Sequence, residues 1–254
     1  RLSTNLKEIK SDANGKVKSI IIEETGEEIP CNVVGLTAGV TPNIDFIKDS
    51  KIETKRGVLV NRFLETNIKD VYAIGDCAEQ HNAIGLRRNI EAVWYTGRMM
   101  GETVAQTICN KKTEYKPRHW FNSAKFVDIE YQVYGTVSGK PPEHHQSLYW
   151  EHSDGNKAVR IVYDKNTKGV VGFNLMGIRY RHEVCEKWLK EKTHIEKVLQ
   201  NLGLANFDPE FYKEYEAEVV KIYNQQTGKN LQLKQKRSLT AALKFLRKAV
   251  GSRQ

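Results

Sequence analysis

Asp76 follows Gly75 directly, at the end of the apolar run Val71-Tyr-Ala-Ile74. This order predicts a short buried strand that stops at a glycine and carries an acid at its carboxyl end. In open α/β sheets, ligands bind just beyond the carboxyl ends of strands. A glycine there lets the backbone approach a ligand closely, and a carboxylate accepts hydrogen bonds from a sugar-like hydroxyl. An Asp in this position also serves to cap a turn or a helix, so the dipeptide alone leaves both readings open.

Other chemistries find less support. The four cysteines, Cys31, Cys77, Cys109 and Cys185, are far apart and form no Cys-x-x-Cys pair. Their spacing argues for free thiols in a reducing cytoplasm, and against both a zinc site and a disulfide scaffold. His144, His145 and His152 read as a polar loop and not as a metal site; no metal is expected. His182 and Glu183 are adjacent, so on a helix they point in different directions. No residue is singled out as catalytic.

The 254 residues suffice for one large or two modest domains. No apolar run approaches the roughly 18 residues of a membrane span, and the amino-terminal sequence does not read as a signal peptide. The charge is uneven: 40 Lys and Arg stand against 31 Asp and Glu. Residues 221–254 hold nine basic residues and no acid, so the whole excess of nine lies in this tail. The balanced body gives no reason to invoke nucleic acid.

The positioning elements follow from the pattern. Residues 5–31 read as a hairpin or meander, with a tight turn at Asn14-Gly15 and a second at Thr25-Gly26. Val33-Val-Gly-Leu-Thr-Ala-Gly-Val40 is an apolar run ending in a glycine turn. Residues 87–110 read as a helix whose stripe is Ile90, Val93, Trp94, Gly97, Gly101, Val104, Ala105 and Ile108, with the two glycines allowing close packing on a sheet. Glu91 is read as a solvated residue of that helix. Tyr115 to Trp120 is a linker. Strands are predicted at 126–134, 148–150, 158–163 and 170–176, with Val127, Ile129, Tyr131 and Val133 on one face of the first. This spacing indicates an antiparallel sheet. Helices follow at about 180–192 and 194–202, then from Asp208-Pro209 to about 225. Ser238 caps a last amphipathic stripe of Leu239, Leu243, Leu246 and Val250.

Thr37-Ala-Gly39 with Pro42, then Gly57 to Asn61, Thr66, and Tyr72 to Ala78 match, in order and spacing, the second half of the FAD domain in the pyridine nucleotide-disulfide oxidoreductase superfamily. These are the flavoproteins with two dinucleotide-binding folds. The segment from Ile90 through Trp94 to Gly101 is similar to a helix of the ferredoxin-reductase-like and apoptosis-inducing-factor-like branch. The resemblance implies a fold that is α/β plus α+β: a partial FAD-domain sheet with a helix, then an interface domain of antiparallel sheet and helices. It assigns residues 1–32 to the end of the NAD(P)H domain, 33–113 to the FAD domain, 114–205 to the interface domain and 206–254 to a helical basic tail.

It also implies chemistry. Asp76 would hold the ribityl chain of FAD, with Gly39 and Gly75 permitting close backbone approach. The helix start at Ala92-Val93 would face the pyrimidine edge of the flavin, where a helix amino end favours negative charge. Trp94 is either core packing or a flavin-edge residue. NAD(P)H would be the co-substrate. The sequence has no two glycines spaced i, i+2, so neither Gly-x-Gly-x-x-Gly turn of the family is present. The chain is therefore expected to be the carboxyl-terminal half of a longer protein, inactive without its missing amino-terminal half. The His-x-x-x-x-Glu pair of the disulfide reductases is also absent.

The interface domain implies a homodimer. The basic tail suits an acidic electron-transfer protein such as rubredoxin or ferredoxin; a peripheral membrane contact is the less favoured alternative. The rival reading is a non-catalytic dimerisation or docking module.

Overall fold

A computed structural model describes residues 1–85, 87–207, 210–211 and 213–234. The chain divides into two units, Arg1–Thr41 and the part from Pro42 onward. In the first, β1 (Leu6–Ser11), β2 (Val17–Ile22) and β3 (Glu28–Pro30) form an antiparallel meander with β2 in the middle. Ile9 pairs with Ile20, and Ile20 with Ile29. The Asp12 carboxylate accepts from the amides of Asn14 and Lys16, which fixes the predicted turn. The apolar run that follows differs from its β-like composition. Residues 33–40 form no strand, and Val33, Leu36 and Val40 are exposed. A strand needs a ladder partner for its backbone, and this unit offers the run none.

In the second unit, after a 3-10 turn at Asp45–Ile47, β4 (Val58–Val60) pairs in parallel with β5 (Ala78–Gln80) in the register Val58 to Ala78 and Val60 to Gln80. The predicted strand Val71–Ile74 is not formed. Among the described residues it makes one bridge, Glu65 to Tyr72, and Ile74 is exposed. The buried strand lies later, at Ala78–Gln80.

α1 (Trp94–Ile108) begins seven residues after the predicted start. The preceding segment is held in irregular form, with Gln80 N donating to Asn89 O and Arg87 paired to Glu91. Its buried face is Thr96, Met100 and Val104, while Trp94 and Ile108 are exposed. Met100 and Val104 join Val60, Leu64, Ala78 and Tyr115 in a small core.

A five-stranded antiparallel sheet follows: β6 (Phe121–Phe126), β7 (Ile129–Gly135), β8 (His145–Glu151), β9 (Ala158–Asp164) and β10 (Val170–Met176), in the spatial order β6-β7-β10-β9-β8. The single strand expected over 126–134 is instead the closing part of a hairpin. Phe126 pairs with Ile129, and Val127 sits in the turn at φ 53°. Val127 is thus an exposed tip residue and not part of a buried face. β8, β9 and β10 agree with the alternation and with the Asp164–Gly169 turn, where Asp164 accepts from the amides of Asn166 and Thr167.

α2 (His182–Lys190), α3 (Ile195–Gln200) and α4 (Glu216–Thr227) pack on this sheet. Phe173, Leu175, Val159 and Ile161 meet Cys185, Leu189, Val198 and Val219 in the large core. Asp208 and Pro209 and the tail stripe from Ser238 lie outside the described residues. The four cysteines are free thiols; Cys185 is buried in the large core and Cys109 is exposed at the end of α1.

Candidate functional site

The Gly75-Asp76 step forms a single 3-10 turn, Gly75–Cys77, between extended Ile74 and β5. Gly75 has φ 76°, a conformation that a side chain disfavours. The amide of Ala78 closes the turn on the Gly75 carbonyl. α1 lies against it. A Cβ on Gly97 would stand 3.5 Å from Gly75 Cα, and one on Gly101 would stand 3.7 Å from the Ile74 Cδ1 methyl. The amide of Gly75 points at the Met100 sulfur, 3.4 Å away. The two glycines of the helix therefore provide the close approach expected of them, toward this turn.

Asp76 is exposed, and its carboxylate has no hydrogen-bond or salt-bridge partner among the described residues. The helix that packs on its turn starts after Val93, which is extended and supplies no side-chain cap. Its first amides therefore point outward without an intrahelical acceptor, and they concentrate positive potential at that end. Ala92 and Trp94 are exposed and Val93 is half-buried. Trp94 is 68% exposed. It stands edge-on to Tyr95, with ring centroids 5.2 Å apart, and under the Arg98 guanidinium at 5.7 Å. Gly75, Asp76 and the start of α1 thus belong to one unit. Gly39, at φ 97°, lies in the other.

Glu91 corrects its expected role. It is 9% exposed, precedes the helix, and accepts from Arg87 Nε at 2.6 Å, from Arg87 Nη2 and from Thr96 Oγ1 at 3.1 Å. Arg87 Nη1 also donates to the Arg118 carbonyl at 2.9 Å. One guanidinium thus ties together the approach to α1, its first turn and the linker to the sheet. The i, i+4 spacing of Arg87 and Glu91 was the available signal, and it resembles an ordinary surface pair.

Glu79 is a second residue that pattern reading missed. It is 2% exposed, and its Oε2 accepts from the amides of Arg56 at 2.8 Å and Gly57 at 2.9 Å. Gly57 must be glycine, because a Cβ would lie 2.6 Å from the Cys77 carbonyl. The start of β4 and the turn of Asp76 are consequently held against each other.

Tyr95 extends the site toward the sheet. Its hydroxyl lies 3.0 Å from Ser123 Oγ, and its ring lies 4.7 Å from Phe121. Phe121 in turn lies 4.4 Å from His182. Burial pushes the His182 imidazole below the usual histidine range. Among the described residues, no group of three His, Cys, Asp or Glu side chains is placed to hold a metal ion, and no helix is long and apolar enough to cross a membrane.

The site is thus a glycine turn bearing an exposed acid, set against a helix start with no side-chain cap. Residues 1–105 match the family described as pyridine nucleotide-disulphide oxidoreductase. Over those residues the chain is similar to the pyridine nucleotide-disulfide oxidoreductase superfamily. It is 56% identical over 57 residues to the NADH-rubredoxin oxidoreductase of Clostridium acetobutylicum, covering 22% of this chain and 15% of that protein. It is 36% identical over 83 residues to the rubredoxin-NAD(+) reductase of Acinetobacter baylyi, covering 33% and 21%. Its fold resembles that of an NAD-dependent persulfide reductase from A. fulgidus, with a TM-score of 0.67 at 19% identity over 89% of this chain and 45% of that one. In each case the chain spans less than half the length of the protein it matches.

Proposed function

We propose that this chain supplies the second half of the FAD domain (residues 33–113) and the interface domain (114–205) of an FAD-dependent NAD(P)H oxidoreductase. The glycine-rich dinucleotide turns would come from sequence outside these 254 residues. In such an enzyme FAD accepts a hydride from NAD(P)H and releases electrons to an acceptor. The names of the relatives favour a small electron-transfer protein of the rubredoxin or ferredoxin type, and an acidic one suits the basic tail.

The residues fit the cofactor by their donor and acceptor types. The unpaired Asp76 carboxylate accepts from ribityl hydroxyls. The uncapped start of α1 at Ala92 and Val93 offers amide donors and positive potential to the carbonyl edge of the flavin. Trp94, exposed beside that edge, shields it from water. Gly75 admits the close approach. Arg87, Glu91 and Tyr95 position the helix and do not touch the cofactor.

The observation that carries this reading is the unpaired Asp76 on a turn that α1 packs against. In the full-length protein, Asp76→Ala is expected to weaken FAD affinity at least ~10-fold, the loss of about 1.4 kcal/mol from a charge-assisted hydrogen bond. Flavin absorbance after desalting and retitration measures it. An unchanged affinity removes Asp76 from the site.

A further inference from the structure

Behind the approach to α1 lies a cavity of about 10 Å³, room for one water molecule. Ile84 and Met100 form its apolar wall; Gln80, Arg87, Glu91 and Tyr115 bring polar groups to it. Gln80 and Tyr115 are 4% and 3% exposed. Gln80 Nε2 and Tyr115 Oη are both buried and without a hydrogen-bond partner among the described residues. Their surroundings are otherwise well satisfied. The Gln80 backbone pairs with Asn89 through both its amide and its carbonyl, and Arg87 engages Glu91, Thr96 and Arg118. Two donors without acceptors in one small space are costly, whereas the Glu91 carboxylate on the same wall keeps lone pairs to spare.

We propose that this cavity is a binding site for a single water molecule, which accepts from Gln80 Nε2–H and Tyr115 Oη–H and donates to the Glu91 carboxylate. Each group then has the partner type it lacks. Burial, the largest effect, pushes the Tyr115 phenol up to about 12, so it remains a donor at neutral pH. The water joins β5, the linker at Tyr115 and the segment that launches α1.

Tyr115→Phe tests this through the sign of its effect. With the water in place, the change removes one of its partners, and the melting temperature falls by roughly 2–4 °C. In a dry cavity it removes an orphaned hydroxyl, and the melting temperature stays or rises, which overturns the proposal. The unaltered chain gives an independent readout. A water-to-amide cross-relaxation peak is expected at the Gln80 side-chain NH2, and it should vanish in Tyr115→Phe. Absence of that peak in the unaltered protein also overturns the site, even if the variant does not fold.

Discussion

The five-stranded sheet with α2, α3 and α4 and the parallel pair β4–β5 with α1 are two ways of completing a β-structure. In the first, strands of six or seven residues place Phe173, Leu175, Val159 and Ile161 in full burial under three helices. In the second, two strands of three residues share a core of six buried side chains. Parallel sheets are ordinarily covered on both faces, and short isolated pairs are marginal. The second region compensates with polar ties, Glu79 to the amides at 56 and 57 and Arg87 to Glu91. It leaves Ile74 and Trp94 open to solvent. The difference teaches that the sheet is stabilised by apolar burial, while the region around Asp76 relies on a small core and polar ties.

The largest effect is expected in the closed region. Phe173→Ala should cost about 3–5 kcal/mol, read as a lower urea midpoint and faster amide exchange across β7, β9 and β10. Gly57→Ala should cost less, roughly 1–3 kcal/mol, because a methyl must displace the Cys77 carbonyl. Its faster exchange should be confined to β4, β5 and the Gly75–Cys77 turn. If β10 exchanges faster by the same factor, the two regions unfold as one and the contrast between them is lost.

The smallest effect is a pH dependence at the seam. His182 lies between Phe121 and Tyr134, with ring centroids 4.4 and 5.4 Å away, and its Nδ1 has no partner among the described residues. Burial lowers its folded value; Glu186 and Glu183 oppose that and Arg118 adds to it. A folded value below the unfolded one, near 6.5, means that stability is full above that pH. It is lost as pH falls from there through the folded value. Urea midpoints between pH 7 and 5 should decline, and His182→Phe should flatten the decline. An equal slope in the variant would place the titration elsewhere.

Much of this arrangement was legible in the sequence, and the exceptions have physical reasons. The meander, β8 to β10, α2 and α3 could be read because their turns and partners are local, whereas α4 starts at Glu216, well past the start read at Asp208-Pro209. Asp164 and Asn14-Gly15 signal turns whatever lies around them. Val33–Val40 and Val71–Ile74 have strand composition, but a strand exists only with neighbours; the first run has no ladder partner among the described residues and the second only a single bridge to Glu65. The hairpin tip at Val127 was hidden because alternation continues straight through a two-residue turn. Glu91 was read as solvated and is buried instead. Hydropathy assigns a side by residue type, whereas the Arg87 guanidinium decides it for Glu91. Gly75 and Asp76 were singled out by motif order, and the structure adds the helix packed on their turn.

The four free thiols turn this two-region architecture into a clock. Cys109 sits exposed at the end of α1, while Cys185 has no exposure and its deprotonation is pushed up by burial. A thiol reagent attacks only the thiolate it can reach. Cys109 is therefore consumed first, the half-buried Cys31 and Cys77 after it, and Cys185 only when the large core opens. Counting modified thiols against time would report the lifetime of the closed sheet in the unmutated chain, with no probe attached.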